Sequence, residues 1–206
     1  MKRIVLMIIS IMTLSSISFA GGKLVAPVID PIASVVDSGF YIGIGASAMS
    51  LRDDLSDEEF TTAGIMFQAG YQFNRYVALE GRYTKGLGKL KYDHGNTNNP
   101  DSDDFPADFT NIGIYLKPML PVENFVLYGL IGYGEVKMTN LPGGVGTADR
   151  SESGLQWGAG VSYRASENVS TSVDYVRFYD DTGFDYRGTT ANVVADAWTL
   201  SVSYKF

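Results

Sequence analysis

The stretch from residue 154 to residue 164 reads GLQWGAGVSYR, and its side chains alternate between two kinds. Every second residue from Leu155 to Tyr163 is apolar or aromatic. The residues between them, from Gly154 to Arg164, are small or polar. Successive side chains of a β-strand lie on opposite faces, so this period of two predicts a strand with one apolar face and one small or polar face.

The last nine residues of the sequence repeat this pattern. Trp198, Leu200, Val202, Tyr204 and Phe206 alternate with small or polar residues. Similar alternation begins near residues 40, 63, 77, 112 and 169. Because no convincing 3.6-residue stripe follows residue 39, we expect strands and no helices.

Residues 125–137 form an eighth stretch, but its first half is apolar on both faces. The facing of this strand stays open from the sequence, and we favour Glu135 and Lys137 pointing inward. Eight strands of about 10–13 residues agree with the ~9–11 residues that a tilted membrane strand needs.

The connections between these stretches alternate in length. Short ones are expected at residues 74–75, 118–124 and 165–168, and long ones at residues 51–61, 85–108, 138–153 and 180–192. Short turns at one end and long loops at the other are typical of bacterial outer-membrane barrels. Both ends of the barrel domain then lie on the side of the short turns.

Periodicity alone does not say which face of a closed barrel touches solvent, because a soluble eight-stranded barrel puts its apolar face inward. Here the other face is rich in Gly and Ser with few charges, which suits the narrow interior of an eight-stranded barrel. Aromatic residues such as Tyr71, Tyr163 and Phe206 end the apolar faces, as they do at membrane interfaces. We therefore predict that the apolar face contacts lipid.

Composition limits the other classes of protein. The chain has 206 residues, 45% of them hydrophobic, and no Cys. This length fits one domain, and the lack of Cys excludes disulfides and thiolate metal sites. A net charge of −7 without a basic patch argues against nucleic-acid binding. We expect neither a cofactor nor a metal.

The N-terminus has the features of an export signal. Lys2 and Arg3 precede an apolar run at residues 4–12, and a small-x-small site ends at Ala20. The apolar run is too short for an anchor helix, which needs about 20 residues. We expect cleavage between Ala20 and Gly21. The expected organisation is a signal peptide at residues 1–20, a periplasmic lead-in containing prolines at 21–38, and a barrel domain at 39–206.

From residue 39 the chain resembles the small outer-membrane β-barrel proteins of the OmpA-like transmembrane-domain type, also called the porin family. Residues 39–45, GFYIGIG, are similar to the first strand of that family. Residues 198–206, WTLSVSYKF, are similar to its C-terminal assembly signal, which ends in Phe. The resemblance implies an all-β, eight-stranded antiparallel up-and-down transmembrane barrel with short periplasmic turns and longer extracellular loops. It also implies that the barrel-assembly machinery recognises the last strand.

Six polar residues are expected on the inward faces of the strands: Glu80, Arg82, Lys117, Gln156, Arg164 and Asp174. Isolated buried charges are costly, so we expect these residues to pair in a lumen polar network. We favour a structural polar core that fills the lumen. The alternative is a gate that resembles the interior ion-pair network of OmpA-like barrels.

The remaining polar features are expected on loops. Acidic residues at 51–61 and 101–108 lack the spacing of a calcium-binding loop, so we expect solvated surfaces. The single histidine, His94, lies in a long loop with no catalytic partner assigned to a neighbouring strand. We therefore expect that the protein is not an enzyme.

Our favoured function is a structural or interaction role in the cell outer membrane. The alternatives are a narrow porin-like channel, a conduit for hydrophobic ligands and, less favoured, a barrel enzyme that modifies lipids. The expected partners are outer-membrane lipid, lipopolysaccharide and the barrel-assembly machinery. We expect a monomer.

Overall fold

A computed structural model describes residues 38–53, 59–93, 103–105, 108–143, 146–182 and 192–206. The predicted signal peptide, residues 21–37 of the lead-in, the cleavage site between Ala20 and Gly21, and His94 lie outside these residues. Within the described part of the chain, no helix is long and apolar enough to cross a membrane.

The described residues form ten strands. They are β1 Gly39–Asp53, β2 Glu59–Asn74, β3 Val77–Gly86, β4 Leu90–Asp93, β5 Asp103–Phe105, β6 Asp108–Val122, β7 Phe125–Gly143, β8 Gly146–Arg164, β9 Val169–Asp181 and β10 Val193–Lys205.

Eight of these strands close into a barrel. The sheet runs β1-β10-β9-β8-β7-β6-β3-β2, and β2 pairs back with β1. All of these pairings are antiparallel. The short strands β4 and β5 extend the sheet beside the beginning of β2. The structure confirms the predicted eight-stranded antiparallel up-and-down barrel.

Three short connections lie at one end of the barrel, which we call the turn end. They occupy residues 75–76, 123–124 and 165–168. Asn74 supports the first, because its side-chain oxygen accepts hydrogen bonds from the backbone of Tyr76 and Val77 at 2.8 and 3.1 Å. Glu123 adopts a positive φ of 55° in the second. We call the opposite end the loop end.

The wall of the barrel presents its apolar side chains outward. Along β3 the burial alternates residue by residue, with Glu80 and Arg82 inside and Leu79 and Tyr83 outside. Large exposed hydrophobic residues cover most of the other strands; they include Ile42, Ile44, Ile112, Ile114, Leu116, Leu155, Trp157, Leu200 and Val202. A continuous apolar surface of this size is not stable in water and indicates a membrane-facing wall.

Aromatic rings form contacts on the outer surface near both ends of this apolar wall. At the turn end, Phe40 and Tyr71 lie 4.8 Å apart between ring centroids, and Tyr204 and Phe206 lie 5.2 Å apart. Further toward the loop end, Tyr175 lies 6.2 Å from Trp157 and 5.3 Å from Trp198. Two such belts are expected at the two interfaces of a bilayer.

The connection predicted at residues 118–124 is mostly strand. β6 continues through Pro118 and Pro121 to Val122. Met119 N–H donates to the Tyr76 carbonyl at 2.7 Å, on the β3 side. Because successive backbone nitrogens of a strand point to opposite neighbours, the nitrogen of the adjacent Pro118 points toward β7. The β6–β7 ladder skips this position, passing from Leu116 to Met119. Because the missing donor interrupts this ladder only at Lys117 and Pro118, the strand tolerates the proline.

The loop predicted at residues 138–153 is also mostly strand. The β7–β8 hairpin continues to the pair Gly143–Gly146, well past the end of β6 at Asp108. This hairpin therefore extends beyond the neighbouring strands at the loop end.

Candidate functional site

The half of the barrel interior nearer the turn end holds charged and phenolic side chains from five strands. Glu80 and Arg82 come from β3 and Lys117 from β6, and Asp174 comes from β9. All four are buried. Tyr41 of β1 and Tyr128 of β7 complete the set, which we call the polar cluster. Each strand supplies these side chains from inward positions because the period of two points alternate residues inside.

Arg82 is the centre of the polar cluster. Its Nε donates to Glu80 Oε1 at 2.5 Å. Its two terminal nitrogens donate to the two oxygens of Asp174 at 2.8 and 3.2 Å, which is a bidentate pair. One guanidinium therefore joins carboxylates from two strands on different sides of the barrel.

The second carboxylate oxygen of each acid also has partners. Lys117 Nζ donates to Glu80 Oε2 at 2.8 Å, and the Tyr41 hydroxyl donates to the same atom at 2.5 Å. The Tyr128 hydroxyl donates to Asp174 Oδ2 at 2.7 Å. Lys117 Nζ also lies 4.2 Å from the centroid of the Tyr128 ring, a cation–π distance.

The polar cluster is electrically balanced. Two carboxylates face one guanidinium and one ammonium, so the formal charges cancel. Buried ions of this kind are tolerated when each is paired and hydrogen-bonded. The arrangement places paired side chains from opposite walls across the interior, so it can hold strands together.

A second polar group lies beside it. Gln156 Nε2 donates to Asn111 Oδ1 at 2.7 Å, and the Tyr115 hydroxyl donates to Gln156 Oε1. Two glycines make room for this group. A Cβ at Gly134 would lie 2.6 Å from Gln156 Nε2, and one at Gly113 would lie 2.7 Å from the Tyr115 hydroxyl.

The structure places the six residues of the predicted lumen network in three locations. Glu80, Arg82, Lys117 and Asp174 meet in the polar cluster, and Gln156 lies in the group beside it. Arg164 lies at the turn end of β8 and is exposed, outside the polar cluster.

Several interior residues were not among the six expected in the lumen network. Tyr41, Tyr128 and Tyr115 donate hydrogen bonds inside the barrel, and Asn111 accepts one. A tyrosine can lie on either face of an alternating strand. The sequence therefore identifies it as an interior residue only when the facing of that strand is known. Tyr41 lies opposite the outward Phe40 and Ile42, so its facing was available.

Toward the loop end the interior becomes hydrophobic. We call this part of the buried core the apolar cluster; it contains Met49, Leu51, Phe60, Leu90, Phe109, Leu130, Val136, Met138, Val176, Phe178, Tyr179, Val193 and Ala195. These side chains pack against one another. They form a second layer of packed side chains beyond the polar cluster.

At the loop end the outer surface becomes polar, while the interior becomes hydrophobic. On β1, Met49 and Leu51 are buried, and the alternate residues Ser50 and Arg52 lie outside. Arg52 pairs with Asp196, whose other oxygen accepts from Ser50 at 2.7 Å. Here the strands resemble those of a water-soluble barrel, with an apolar inside and a polar outside.

The same inversion explains the error in the expected facing of β7. Glu135 and Lys137 do not point inward; Val136 and Met138 are the buried residues at this level. Glu135 instead accepts a hydrogen bond from Ser151 on the outer surface. The assumption that charged residues face the lumen holds only where the outer wall meets lipid.

Two buried polar atoms have no hydrogen-bond partner among the described residues, Gln68 Oε1 and Ser201 Oγ. No group of three or more Asp, Glu or His in the described part of the chain could hold a metal ion.

Comparison with known proteins gives one family. Residues 24–206 match the sequence profile of the family described as "Outer membrane protein beta-barrel domain". No curated protein sequence matches significantly.

Solved structures show the same fold. Neisserial surface protein A superposes with a TM-score of 0.60 at 20% identity, over 82% of this chain and 99% of that one. The attachment invasion locus protein Ail of Yersinia pestis gives a TM-score of 0.55, also at 20% identity and over 82% and 99% of the two chains. The N-terminal barrel domain of Pseudomonas aeruginosa OprF gives 0.51 at 13% identity, over 80% and 97%. At these identities the comparison establishes the fold alone.

Proposed function

Because the chain belongs to the outer membrane protein beta-barrel domain family, we propose that it is a closed-lumen barrel with a structural or interaction role in the outer membrane. The observation that carries this proposal is the polar cluster. Its four charges and two phenols are mutually paired across the interior, and neither acid lacks a partner.

Pairing across the lumen opposes conduction. A permeant ion in an eight-stranded barrel would have to displace side chains, because the interior is only wide enough for side chains to fill. Arg82 connects β3 to β9, and Lys117 connects β6 to β3. The apolar cluster adds a second layer, which is hydrophobic except for the hydroxyl of Tyr179 and so offers an ion few ligands.

The proposal includes an orientation in the membrane. The turn end faces the periplasm and the loop end faces outside, as in bacterial barrels. Residues 1–20 act as a signal peptide cleaved between Ala20 and Gly21. The barrel-assembly machinery recognises the outward residues of the last strand, Trp198, Leu200, Val202, Tyr204 and Phe206, all of which are exposed on the barrel wall.

The interaction surface is the loop end. The β7–β8 hairpin extends past β6, and β4 and β5 add to the sheet beside β2. We propose outer-membrane lipid and lipopolysaccharide as its immediate partners, with the chain as a monomer and without enzymatic activity. Ail has been crystallised with the heparin analogue sucrose octasulfate. The net charge of −7 on this chain disfavours a polyanion of that kind.

Conductance in planar bilayers tests the closed lumen. We expect the wild-type barrel to show no sustained current, because its interior pairs are intact. A Glu80→Ala, Arg82→Ala double variant removes the centre of the polar cluster and should pass brief currents at most, since the apolar cluster remains. Arg164→Ala serves as the matched control and should resemble the wild type. A large, sustained current through the wild-type barrel would exclude the proposal.

A further inference from the structure

The barrel closes where its first strand meets its last. Every other neighbouring pair of the eight barrel strands joins strands that follow one another along the barrel, so the connection between them helps to set their register. β1 and β10 have no such connection, and the opposed residues Ser47 and Thr199 are 152 positions apart in the sequence. The register of this pair, which we call the closing pair, must therefore come from side-chain contacts.

The alternation along the closing pair excludes only some registers. A slip by one residue would turn every side chain of β1 to the other face, and glycines would then meet lipid. A slip by two residues keeps every side chain on its own face. Inside the barrel such a slip meets little resistance from shape, because Gly43 and Gly45 face Ser203 and Ser201. Strands rich in glycine specify their register weakly.

One group of polar contacts crosses the closing pair on the outer wall, toward the loop end. Asp196 of β10 lies directly opposite Ser50 of β1, whose hydroxyl donates to Asp196 Oδ1 at 2.7 Å. Arg52, two residues further along β1, donates to Asp196 Oδ2. The hydroxyl of Tyr175 on β9 donates to the same oxygen at 2.9 Å. We call these four residues the clasp.

The clasp surrounds a buried carboxylate at the edge of the apolar wall. Asp196 is 4% exposed, although it lies on the outer face. The next outward residue of β10 toward the turn end is Trp198, which is 57% exposed and contacts Tyr175 in the aromatic belt. A carboxylate in such a place is costly unless donors compensate its charge. The loss of a donor from β1 is therefore expensive.

Only the observed register gives Asp196 both of its partners from β1. If β1 slipped by two residues toward the turn end, Arg52 would lie opposite Asp196, but Ser50 would lie opposite Trp198. If β1 slipped by two residues toward the loop end, Ala48 would lie opposite Asp196, and Arg52 would lie beyond the paired part of β10. Either slip leaves the carboxylate with fewer donors.

A pair of hydroxyl groups supports the same register inside the barrel. Ser47 Oγ and Thr199 Oγ1 are hydrogen-bonded at 2.9 Å, and both residues are buried. A slip toward the loop end would place Ala197 opposite Ser47, and a slip toward the turn end would place Met49 opposite Thr199. In each case a buried hydroxyl loses its partner on the facing strand, which adds to the cost of the slip.

We propose that the clasp sets the register in which β1 docks on β10 when the barrel closes. Asp196 is the register-determining residue, and Ser50 and Arg52 are the groups by which β1 is recognised. Tyr175 belongs to the β9–β10 pair, so it holds the carboxylate in place independently of β1. The clasp acts on the closing step, and the polar cluster fills the interior of the closed barrel.

Disulfide trapping reports the register, because the chain contains no Cys. Ile44→Cys is combined with Val202→Cys, which lies opposite in the observed register, or with Leu200→Cys or Tyr204→Cys, which would lie opposite after a slip of two residues. Each variant is refolded into vesicles, oxidised, and boiled before a non-reducing gel. We expect at least about tenfold more cross-link at 44–202 than at 44–200 or 44–204, because residues offset by two positions are beyond disulfide reach.

Removing the clasp gives the second arm. Asp196→Ala should weaken the 44–202 cross-link and raise at least one slipped cross-link about fivefold or more. Arg52→Ala should act in the same direction, and Arg52→Lys, which keeps the charge, should restore most of the observed register. Asp180→Ala is the matched control, because Asp180 pairs with Arg177 of its own strand. Leu130→Ala, which destabilises the barrel through a cavity, should also keep the observed register.

Gel migration before and after boiling verifies that each variant folds. If Asp196→Ala does not fold, Arg52→Ala and Ser50→Ala decide in its place. Variants of the clasp that cross-link only at 44–202 would overturn the proposal. So would equal slipping in Asp180→Ala or Leu130→Ala, since loss of stability alone would then explain it. Slipped products from Arg82→Met but not from the clasp variants would also overturn it, because the polar cluster would then set the register.

Discussion

The two ends of this barrel wall place their apolar and polar side chains on opposite faces. Toward the turn end, β1 presents Ile42 and Ile44 outward and glycines inward. Toward the loop end, the same strand buries Met49 and Leu51 and turns Arg52 outward. The first arrangement suits lipid outside and a polar interior, and the second suits water outside and an apolar interior. The strands therefore continue past the membrane as a water-soluble type of barrel.

This difference predicts how each region responds to substitution. In the polar cluster each residue depends on particular partners, so removing a charged member takes from a buried charge one of the groups that compensate it. In the apolar cluster the side chains depend on volume and shape, and the cost of truncation is the cost of a cavity.

The largest effect is expected from Arg82→Met. The substitution keeps much of the side-chain volume but leaves Glu80 without one of its two cations and Asp174 without its bidentate partner. We expect the free energy of unfolding in vesicles, measured by urea titration, to fall by about 3–5 kcal/mol. Arg164→Met at the exposed turn end should change it by less than about 0.5 kcal/mol. Equal stability of the two variants would show that the polar cluster is not a structural core.

The next effect is expected in the apolar cluster. Leu130→Ala removes a fully buried side chain, and the resulting cavity should lower the free energy of unfolding by about 3 kcal/mol. Leu200→Ala is the matched control, because Leu200 lies on the outer wall, where lipid can fill the space. The same urea titration compares them. A larger loss for Leu200→Ala than for Leu130→Ala would contradict the assignment of inside and outside.

The smallest effect is expected from Tyr128→Phe. It removes one hydroxyl that donates to Asp174 at 2.7 Å and leaves the ring under Lys117 in place. Since Arg82 still pairs with Asp174, we expect a loss of about 1.5 kcal/mol by urea titration. A double-mutant cycle with Asp174→Asn should show coupling between the two positions. Additive losses would indicate that the hydroxyl does not contribute to the polar cluster.

Of these two regions, the sequence predicts well the one toward the turn end, where the outer wall meets lipid. The alternation from Leu155 to Tyr163 and from Trp198 to Phe206 indicates both the strands and their lipid-facing side, because the outer wall there meets a single solvent. The inward positions of Glu80 and Arg82 follow from the same period. Their partners do not, because Asp174 is 92 residues from Arg82 along the chain and meets it only once the barrel closes.

The loop end was harder to predict for a physical reason. Glu135 and Lys137 were expected inside because charged residues are inward where the wall meets lipid. Past the membrane the outer surface meets water, so charged residues face outward and apolar residues face inward. The period of two continues unchanged through this reversal, so the sequence does not show where it occurs. The bulge at Phe178 adds one residue to β9 and shifts the alternation, so that Phe178 and Tyr179 are both buried. In the sequence this shift looks the same as the end of a strand, so the short β8–β9 ladder, which ends at Trp157–Arg177, was not predicted.

The central claim is that the apolar wall of the barrel contacts lipid. Trp157 and Trp198 are the two tryptophans of the chain, and both are exposed on that wall. Their fluorescence should be strongly quenched when the barrel is refolded into vesicles of phospholipids brominated in the acyl chains, compared with the same vesicles without bromine. Equal fluorescence in the two kinds of vesicle would mean that these rings do not touch hydrocarbon, and would contradict the account.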